Sequence, residues 1–444
     1  MMKTIPKTPM ASRSLRTLHA FLASVVTLLF ASTAAAQDGS TLDTGDTAWI
    51  LVSTALVIMM TAPGLALFYG GLVRRTNVLS VLMQCLMCMA LISVVWVVIG
   101  YSIAFGEGNA WIGDFSHVGL RGVGMEPGEG ETIPPLLFMM FQGTFAIITP
   151  ALIVGAFAER MKFSAFVIFT VLWSVLIYSP LCHWVWGGGW LGELGDLDFA
   201  GGTVVHISSG VSALAAALLI GKRIGYGQEP LPPHNLPFTV AGAALLWVGW
   251  FGFNAGSALG ANGSAAVAFV TTNTAAAAGT LGWIGIEWMT RGKPTALGAA
   301  SGAVAGLVAI TPAAGFVSPM SALAIGAFGG IFCFYGIRIK EMLGADDALD
   351  VVGIHGVGGT WGALATGIFA DAAIGGTDGL LYGNPIQLWI QLEGVLATMV
   401  FCFVGALILL KLTDALVGLR VTDDSELAGL DLSEHSERAY GSID

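Results

Sequence analysis

Two histidines, His206 and His355, each lie a few residues inside a long apolar stretch. A charge at such a position costs roughly 2.5–3.5 kcal/mol on insertion scales, so polar groups found there need a reason. Two imidazoles can share one hydrogen bond, each satisfying the other, and such a pair can accept or relay a proton. Two other readings stand beside this one: unrelated core histidines, or axial ligands of a haem, which nothing else in the chain supports. Asp198 precedes Phe199-Ala200-Gly201-Gly202-Thr203 at the start of the stretch that carries His206. A carboxylate there can cap the helix by accepting backbone N–H groups, or it can ligate a cation directly. Capping is the favoured role, because a carboxylate tied by N–H groups is cheaper to bury. Aromatic residues gather nearby in sequence register: Phe141 and Phe145, then Trp184, Trp186 and Trp190, then Trp250 and Phe253. Trp and Tyr collect at membrane interfaces in any case. Rings can also hold a small cation, at roughly 0.5–2 kcal/mol each when desolvated. Ser257, one helical turn beyond Phe253, adds a hydroxyl acceptor on the same face. Rings plus an acceptor suit a cation that donates hydrogen bonds. Gln142, Asn254, Asp350 and Glu393 are the other polar candidates in these stretches, and Glu393 reads as a contact within the helix bundle or between subunits.

The elements that must hold these residues are membrane helices. Apolar residues make up 55% of 444 and charged residues only 11%, where a soluble domain carries about 25%. Eleven apolar segments follow one another, near 47–69, 77–105, 136–157, 163–183, 203–221, 236–258, 264–289, 295–314, 318–338, 350–370 and 386–418. Each is long enough for a helix of about 20 residues. Residues 1–36 read as a secretory signal: Lys3, Lys7, Arg13 and Arg16, a short apolar run from Ala20 to Phe30, and Ala34-Ala35-Ala36 before Gln37. A retained first helix is the competing reading. Cleavage leaves the mature amino terminus outside, a membrane domain over 37–418 and a cytoplasmic tail over 419–444. Arg74, Arg75, Arg160, Lys162, Lys222, Arg223, Arg291, Lys293, Arg338, Lys340, Lys411, Arg420 and Arg438 then all fall on the cytoplasmic side, and Arg121 on the other. That bias is the one the positive-inside rule requires. Ten helices divide into two five-helix repeats of inverted topology, with the eleventh left over. Asp198 before His206 is echoed by Asp350 before His355. Gly298, Gly302 and Gly306 mark a face for close helix approach.

Other chemistries fall away. The net charge of −11 argues against nucleic acid. Cys85-Leu86-Met87-Cys88 lacks the polar context of a redox or zinc motif and reads as packing, like Cys182, Cys333 and Cys402. Gly221-Lys222 precedes Arg223 and Gly292-Lys293 precedes Pro294, so neither forms a phosphate-binding loop.

Several ordered motifs carry a family resemblance. They are Pro63 to Gly71, Phe141 to Phe145, His183 to Gly189, Asp198 to His206, Gly249 to Ser257 and Gly353-Ile354-His355-Gly356. From about residue 40 to Tyr440 the chain resembles the ammonium transporters of the Amt/Mep/Rh family, and most of all their bacterial Amt branch. The resemblance implies an all-α inner-membrane protein of eleven helices, a homotrimer with one pore per subunit, that conducts ammonium or ammonia in the service of nitrogen metabolism. It implies a transporter and not an enzyme, with no cofactor and no metal. Phe145, Trp186 and Ser257 match an outer recruitment site, and Phe141 and Phe253 match two stacked rings gating the pore below it. His206 and His355 match twin pore histidines, and Asp198 a structurally required carboxylate. Leu65, Phe68, Tyr69, Leu246, Trp250 and Val351 match pore-wall positions. Thr144 departs from the pattern, where a smaller Ser is common. The tail, 419–444, reads by composition as an acidic, solvated segment. The resemblance implies instead that it docks on the cytoplasmic face and binds a PII-type signalling protein. An ammonium sensor that signals through its tail is the alternative function.

Overall fold

A computed structural model describes residues 42–441. The leader expected over 1–36 lies outside the described residues. Helical runs fill the eleven expected positions: α1 (Thr44–Leu72), α2 (Val78–Phe105), α3 (Pro135–Phe157), α4 (Phe163–Leu194), α5 (Gly202–Ile220) and α6 (Leu236–Ala255). They continue as α7 (Gly263–Arg291), α8 (Ala296–Ile310), α9 (Pro319–Met342), α10 (Val352–Gly356 running on as Val357–Phe369) and α11 (Pro385–Val417). Eight of them, α1 to α6, α9 and α11, are long and apolar enough to cross a membrane by themselves. Of the other three, α7 and α10 are diluted by glycine, alanine and threonine, and α8 is apolar but only 15 residues long. Most of α8 is buried against other helices, so protein replaces lipid around it.

Packing supports the division into two halves. In the first half α1 packs on α3, α2 on α3 and α4, and α3 on α5. In the second, α6 packs on α8, α7 on α8 and α9, and α8 on α10. The halves meet where α1 lies on α6 and α5 on α10, while α11 covers α5 and α10 from outside. The first and fifth helix of each half contain a wide π-type turn: Met60–Leu65, Gly202–Ile207, Phe251–Ala255 and Val352–Gly356. Such turns interrupt the regular ladder and recur at functional sites. At the α5–α10 crossing the backbones touch: a Cβ on Gly210 would stand 2.2 Å from the Gly356 nitrogen. The small-residue face of α8 works as expected, since a Cβ on Gly306 would meet the Ala275 carbonyl at 2.2 Å.

The tail is folded, not solvated, as α12 (Asp423–Ala428) and α13 (Leu430–His435). Two of its acidic residues, which made it look like free tail, are acceptors for helix starts. Asp431 Oδ1 takes the Ser80 N–H of α2 at 2.8 Å, and Glu434 Oε2 takes the Phe163 N–H of α4 at 2.8 Å. Glu426 accepts from the Ile224 backbone and from Arg420, both at 2.7 Å. Carboxylates are stabilising at helix amino ends because orphan N–H groups and the helix dipole both favour them.

Under the tail lies a buried ionic cluster. Arg223 grips Asp346 with two guanidinium nitrogens, at 2.8 and 2.9 Å, and reaches Glu159 at 3.2 Å. Arg160 is fully buried and donates to the carbonyls of Ala156, Ala158, Gly221 and Asp346. Burial pulls its guanidinium down to about 10. Burial alone would raise the Asp346 carboxyl, but Arg223 and Arg160 hold it below its ordinary value. Asp346→Ala should therefore remove the two-nitrogen grip on Arg223, leaving it Glu159 as its carboxylate partner, and cost about 3–5 kcal/mol, seen as a lower unfolding midpoint in detergent. The wild-type contribution should be complete above the usual carboxylate range and be lost as pH falls below it.

Candidate functional site: a column of rings ending in paired imidazoles

The start of α5 is built around Asp198. Its Oδ1 accepts the N–H groups of Gly201 (2.8 Å) and Gly202 (2.6 Å). Its Oδ2 accepts those of Thr203 (2.8 Å) and Val204 (3.2 Å), together with the Thr203 hydroxyl. Both oxygens are thus saturated by protein donors, which fits a cap and leaves no lone pair directed at a cation. The Asp198 carbonyl takes the Trp186 indole N–H at 2.8 Å. One residue therefore anchors both the turn that carries His206 and the ring that heads the site.

From Trp186 the rings form a continuous column. Trp186 meets Phe145 at 5.8 Å between centroids, Phe145 meets Phe253 at 4.5 Å, and Phe253 stacks on His206 at 6.0 Å and 14°. His206 then meets His355 at 5.2 Å, with the two Nδ1 atoms 3.2 Å apart. The expected pairing of Phe141 with Phe253 needs correction. Phe253 faces Phe145, while Phe141 packs edge-on against Phe145 at 5.1 Å and is fully buried. Phe141 lies on the turn before Phe145, which points it at Gly256 and away from the column. Ser257 spends its proton on the Phe253 carbonyl at 2.9 Å, so its oxygen lone pairs stay available as acceptors. Trp184 and Trp190 cluster with Trp111, apart from the column, as interface residues do.

Below the rings is a narrow apolar cavity of about 10 Å³, roughly the space one water requires. Leu65, Phe68, Leu246 and Trp250 line it, as do both histidines. Met60, Ile148, Leu152, Val205 and Val304 also line it and were not singled out from sequence; an apolar residue on an apolar helix carries no mark of facing a cavity. Tyr69 and Val351 lie elsewhere. They converge on Gly155 toward the tail end, where a Cβ would meet Val351 at 2.5 Å and Tyr69 at 3.2 Å. The Tyr69 hydroxyl donates to the Leu152 carbonyl at 3.0 Å.

Thr311 was also missed, and it orders the pair. Its hydroxyl donates to the Leu307 carbonyl at 2.7 Å and accepts the Trp250 indole N–H at 2.9 Å. With its proton spent, Thr311 faces His206 Nε2, at 3.4 Å, as an acceptor. The network therefore places the His206 proton on Nε2, leaves His206 Nδ1 to accept from His355 Nδ1–H, and leaves His355 Nε2 with a lone pair. No sequence signal marks a lone Thr at the end of a Gly/Ala-rich helix.

The expected echo between the halves is also corrected. The cap of α10 is Asp347, whose Oδ2 accepts the Val352 N–H at 2.7 Å; Asp350 is half-exposed and pairs with Lys340. Asp198–His206 and Asp347–His355 share one spacing, and that equal spacing was the available signal.

Fold and site define a class: a polytopic helical membrane protein whose two matched halves close on a narrow apolar cavity. Within that class the chain belongs to the Ammonium Transporter Family, whose model matches residues 48–440. It is 54% identical over 400 residues to an ammonium transporter of Bacillus subtilis, covering 89% of this chain and 98% of that protein. It is 49% identical over 399 residues to ammonium transporter Amt1 of Archaeoglobus fulgidus, covering 89% and 99%. The crystal structure of Saccharomyces cerevisiae Mep2 superposes with a TM-score of 0.82 at 38% identity, covering 86% of this chain and 89% of that one. A solved sensor Amt protein matches with a TM-score of 0.82 at 31% identity, covering 88% and 98%.

Thr311→Val should leave the Trp250 N–H and His206 Nε2 without their acceptor. We expect a loss of about 1–3 kcal/mol in unfolding experiments and a slower transport rate, both restored by Thr311→Ser.

Proposed function

We propose that the protein is an inner-membrane ammonium transporter whose Trp186 end faces outside and whose tail end faces the cytoplasm. The observation that carries this reading is the column of rings that leads from Trp186 to two hydrogen-bonded imidazoles inside an apolar cavity. Ammonium and potassium are close in size, so a sieve separates them poorly. They differ in that ammonium donates hydrogen bonds and can lose a proton. Phe145 and Trp186 supply ring faces, and the free lone pairs of Ser257 supply an acceptor that only a donor cation can use. Phe145 and Phe253, in contact, close the way to the cavity, and an intact ion beyond them is far from water and expensive. Ammonia, once deprotonated, passes as a neutral molecule, with the His355 Nε2 lone pair as a polar foothold. The proton follows separately, through the shared hydrogen bond between the Nδ1 atoms.

We infer further that the chain works as a homotrimer after loss of its leader. The docked tail, with α12 and α13 held on the starts of α2 and α4, is the surface on which a PII-type protein acts. A sensor role is the second reading, favoured by that tail and by the likeness to a sensor Amt protein. Methylammonium uptake in cells lacking other carriers separates the two: a sensor with a vestigial pore gives none.

Proteoliposomes on a supported membrane test the mechanism. Ammonium should drive a current that scales with uptake; uptake without current would replace separate proton movement with passive ammonia conduction. Ser257→Ala should raise the half-saturating methylammonium concentration about tenfold or more, since a hydrogen bond to a charged group contributes about 1.5–3 kcal/mol, and should change maximal uptake little.

A further inference from the structure

A second cavity opens where α2 ends and α3 begins. It measures about 400 Å³, and Tyr101, Phe105, Phe138, Glu131 and Leu259 are among the residues that line it. Its wall is a run of rings. Tyr101 meets Phe105 at 5.5 Å between centroids, and Phe105 meets Phe138 edge-on at 5.0 Å. Phe105 also packs edge-on against Trp96 at 6.3 Å, and the Trp96 indole N–H is fixed on the Met139 carbonyl at 2.9 Å, so the wall is braced from behind. Glu131 stands at the exposed rim, with its Oε2 accepting the Gly128 N–H at 3.1 Å. None of these five lining residues belongs to the column of rings that leads to the histidines.

This lining suits a cation with an apolar body. Ring faces attract cations. The connection between α2 and α3, whose last residues line the cavity, carries Glu107, Asp114, Glu126, Glu129 and Glu131 against the single arginine Arg121. Size then decides between cations. An ammonium ion needs little more room than one water, about 30 Å³. In a space this large it keeps its hydration shell and gains little from the rings. A quaternary ammonium has no N–H to satisfy, gives up its water readily, and brings methyl groups that fill the space against ring faces. The Ser257 position is the opposite case, since its oxygen lone pairs reward a cation that donates. The two places therefore sort cations by whether they carry N–H groups.

We propose that this cavity is a peripheral site for quaternary ammonium cations, and that its occupant tunes the recruitment of ammonium at Ser257. The link is Leu259, which lines the cavity two residues beyond Ser257. Its backbone lies in the left-handed region, at φ 55°, with its N–H on the Gly256 carbonyl at 2.9 Å. That conformation is costly for a bulky residue and persists only where the surroundings enforce it, so the Ser257 turn and the cavity wall are held as one unit. Phe138 makes a second link, two turns before Phe145 on α3. A positive charge in the cavity weakens the hold on a second cation at Ser257 by repulsion, without taking its place. The binding claim stands on the cavity; its effect on uptake rests on the transporter reading above.

Equilibrium dialysis of radiolabelled choline against the full-length protein in detergent tests the site. One choline should bind per subunit, and its uncharged tert-butyl counterpart should fail to displace it. Phe105→Leu should weaken binding about fivefold or more. Glu131→Gln should weaken it about threefold and reduce its salt dependence; Glu131 is exposed, so this variant serves even if Phe105→Leu does not fold. Ser257→Ala should bind choline as the wild type does. Loss of binding in Ser257→Ala, with Phe105→Leu and Glu131→Gln unaffected, would put the cation at the recruitment position and overturn the proposal, as would the absence of saturable binding at millimolar choline. In methylammonium uptake, external choline should raise the half-saturating concentration to a ceiling of about fivefold, the mark of two sites filled together. A rise without limit, or no rise, overturns the tuning. A protein that binds choline in this pattern and takes up no methylammonium upholds the site and removes the transporter reading.

Discussion

Every polar group in an apolar interior must find its partner inside the protein, and this constraint organises the molecule. His206 and His355 satisfy each other, but only because two backbones come within contact distance at Gly210, one turn beyond His206, and Gly356, which adjoins His355. Thr311 sits behind His206 and fixes which nitrogen carries the proton. The histidine pair is therefore a property of the α5–α10 crossing and of α8, and not of two side chains alone. Wide turns at both histidines give the backbone the local freedom that such a crossing demands.

The capping carboxylates extend the same logic to the helices that carry the histidines. Each stands at the start of a helix whose first turn would otherwise hold bare N–H groups, and each is found at the same distance in sequence from its histidine. Asp198 also receives the Trp186 indole through its carbonyl, so the geometry at the head of the ring column and the geometry of the first imidazole share one anchor. Two halves with the same plan need not be built alike: the Asp198 cap also takes the Thr203 hydroxyl, while the Asp347 cap takes backbone N–H groups.

The sequence was most legible where residue type and environment conflict. A His or Asp in an apolar stretch stands out, which is why His206, His355 and Asp198 could be named, and basic residues between apolar segments made the helix order readable. Residues that match their surroundings were opaque. Met60, Ile148 and Val304 line the cavity but look like any lipid-facing or core residue. Phe141 and Phe145 both suited a ring pair with Phe253, and only the direction of each ring along α3 decided between them. Asp350 was read as the echo of Asp198 and Asp347 was not singled out, while capping depends on which carboxylate reaches the N–H groups of the first turn. The tail misled for a related reason: carboxylates read as hydration, but helix amino ends solvate an anion as water does.

That arrangement has a practical side. The last residues of the chain complete the hydrogen bonding of two transmembrane spans, since Asp431 serves α2 and Glu434 serves α4. Shortening the chain there, or hanging a bulky tag close behind Tyr440, strips support from helices that begin more than two hundred residues upstream. A truncated protein that misbehaves has then lost part of its scaffold as well as any docking platform, and a single carboxylate exchange discriminates between those losses where a deletion does not.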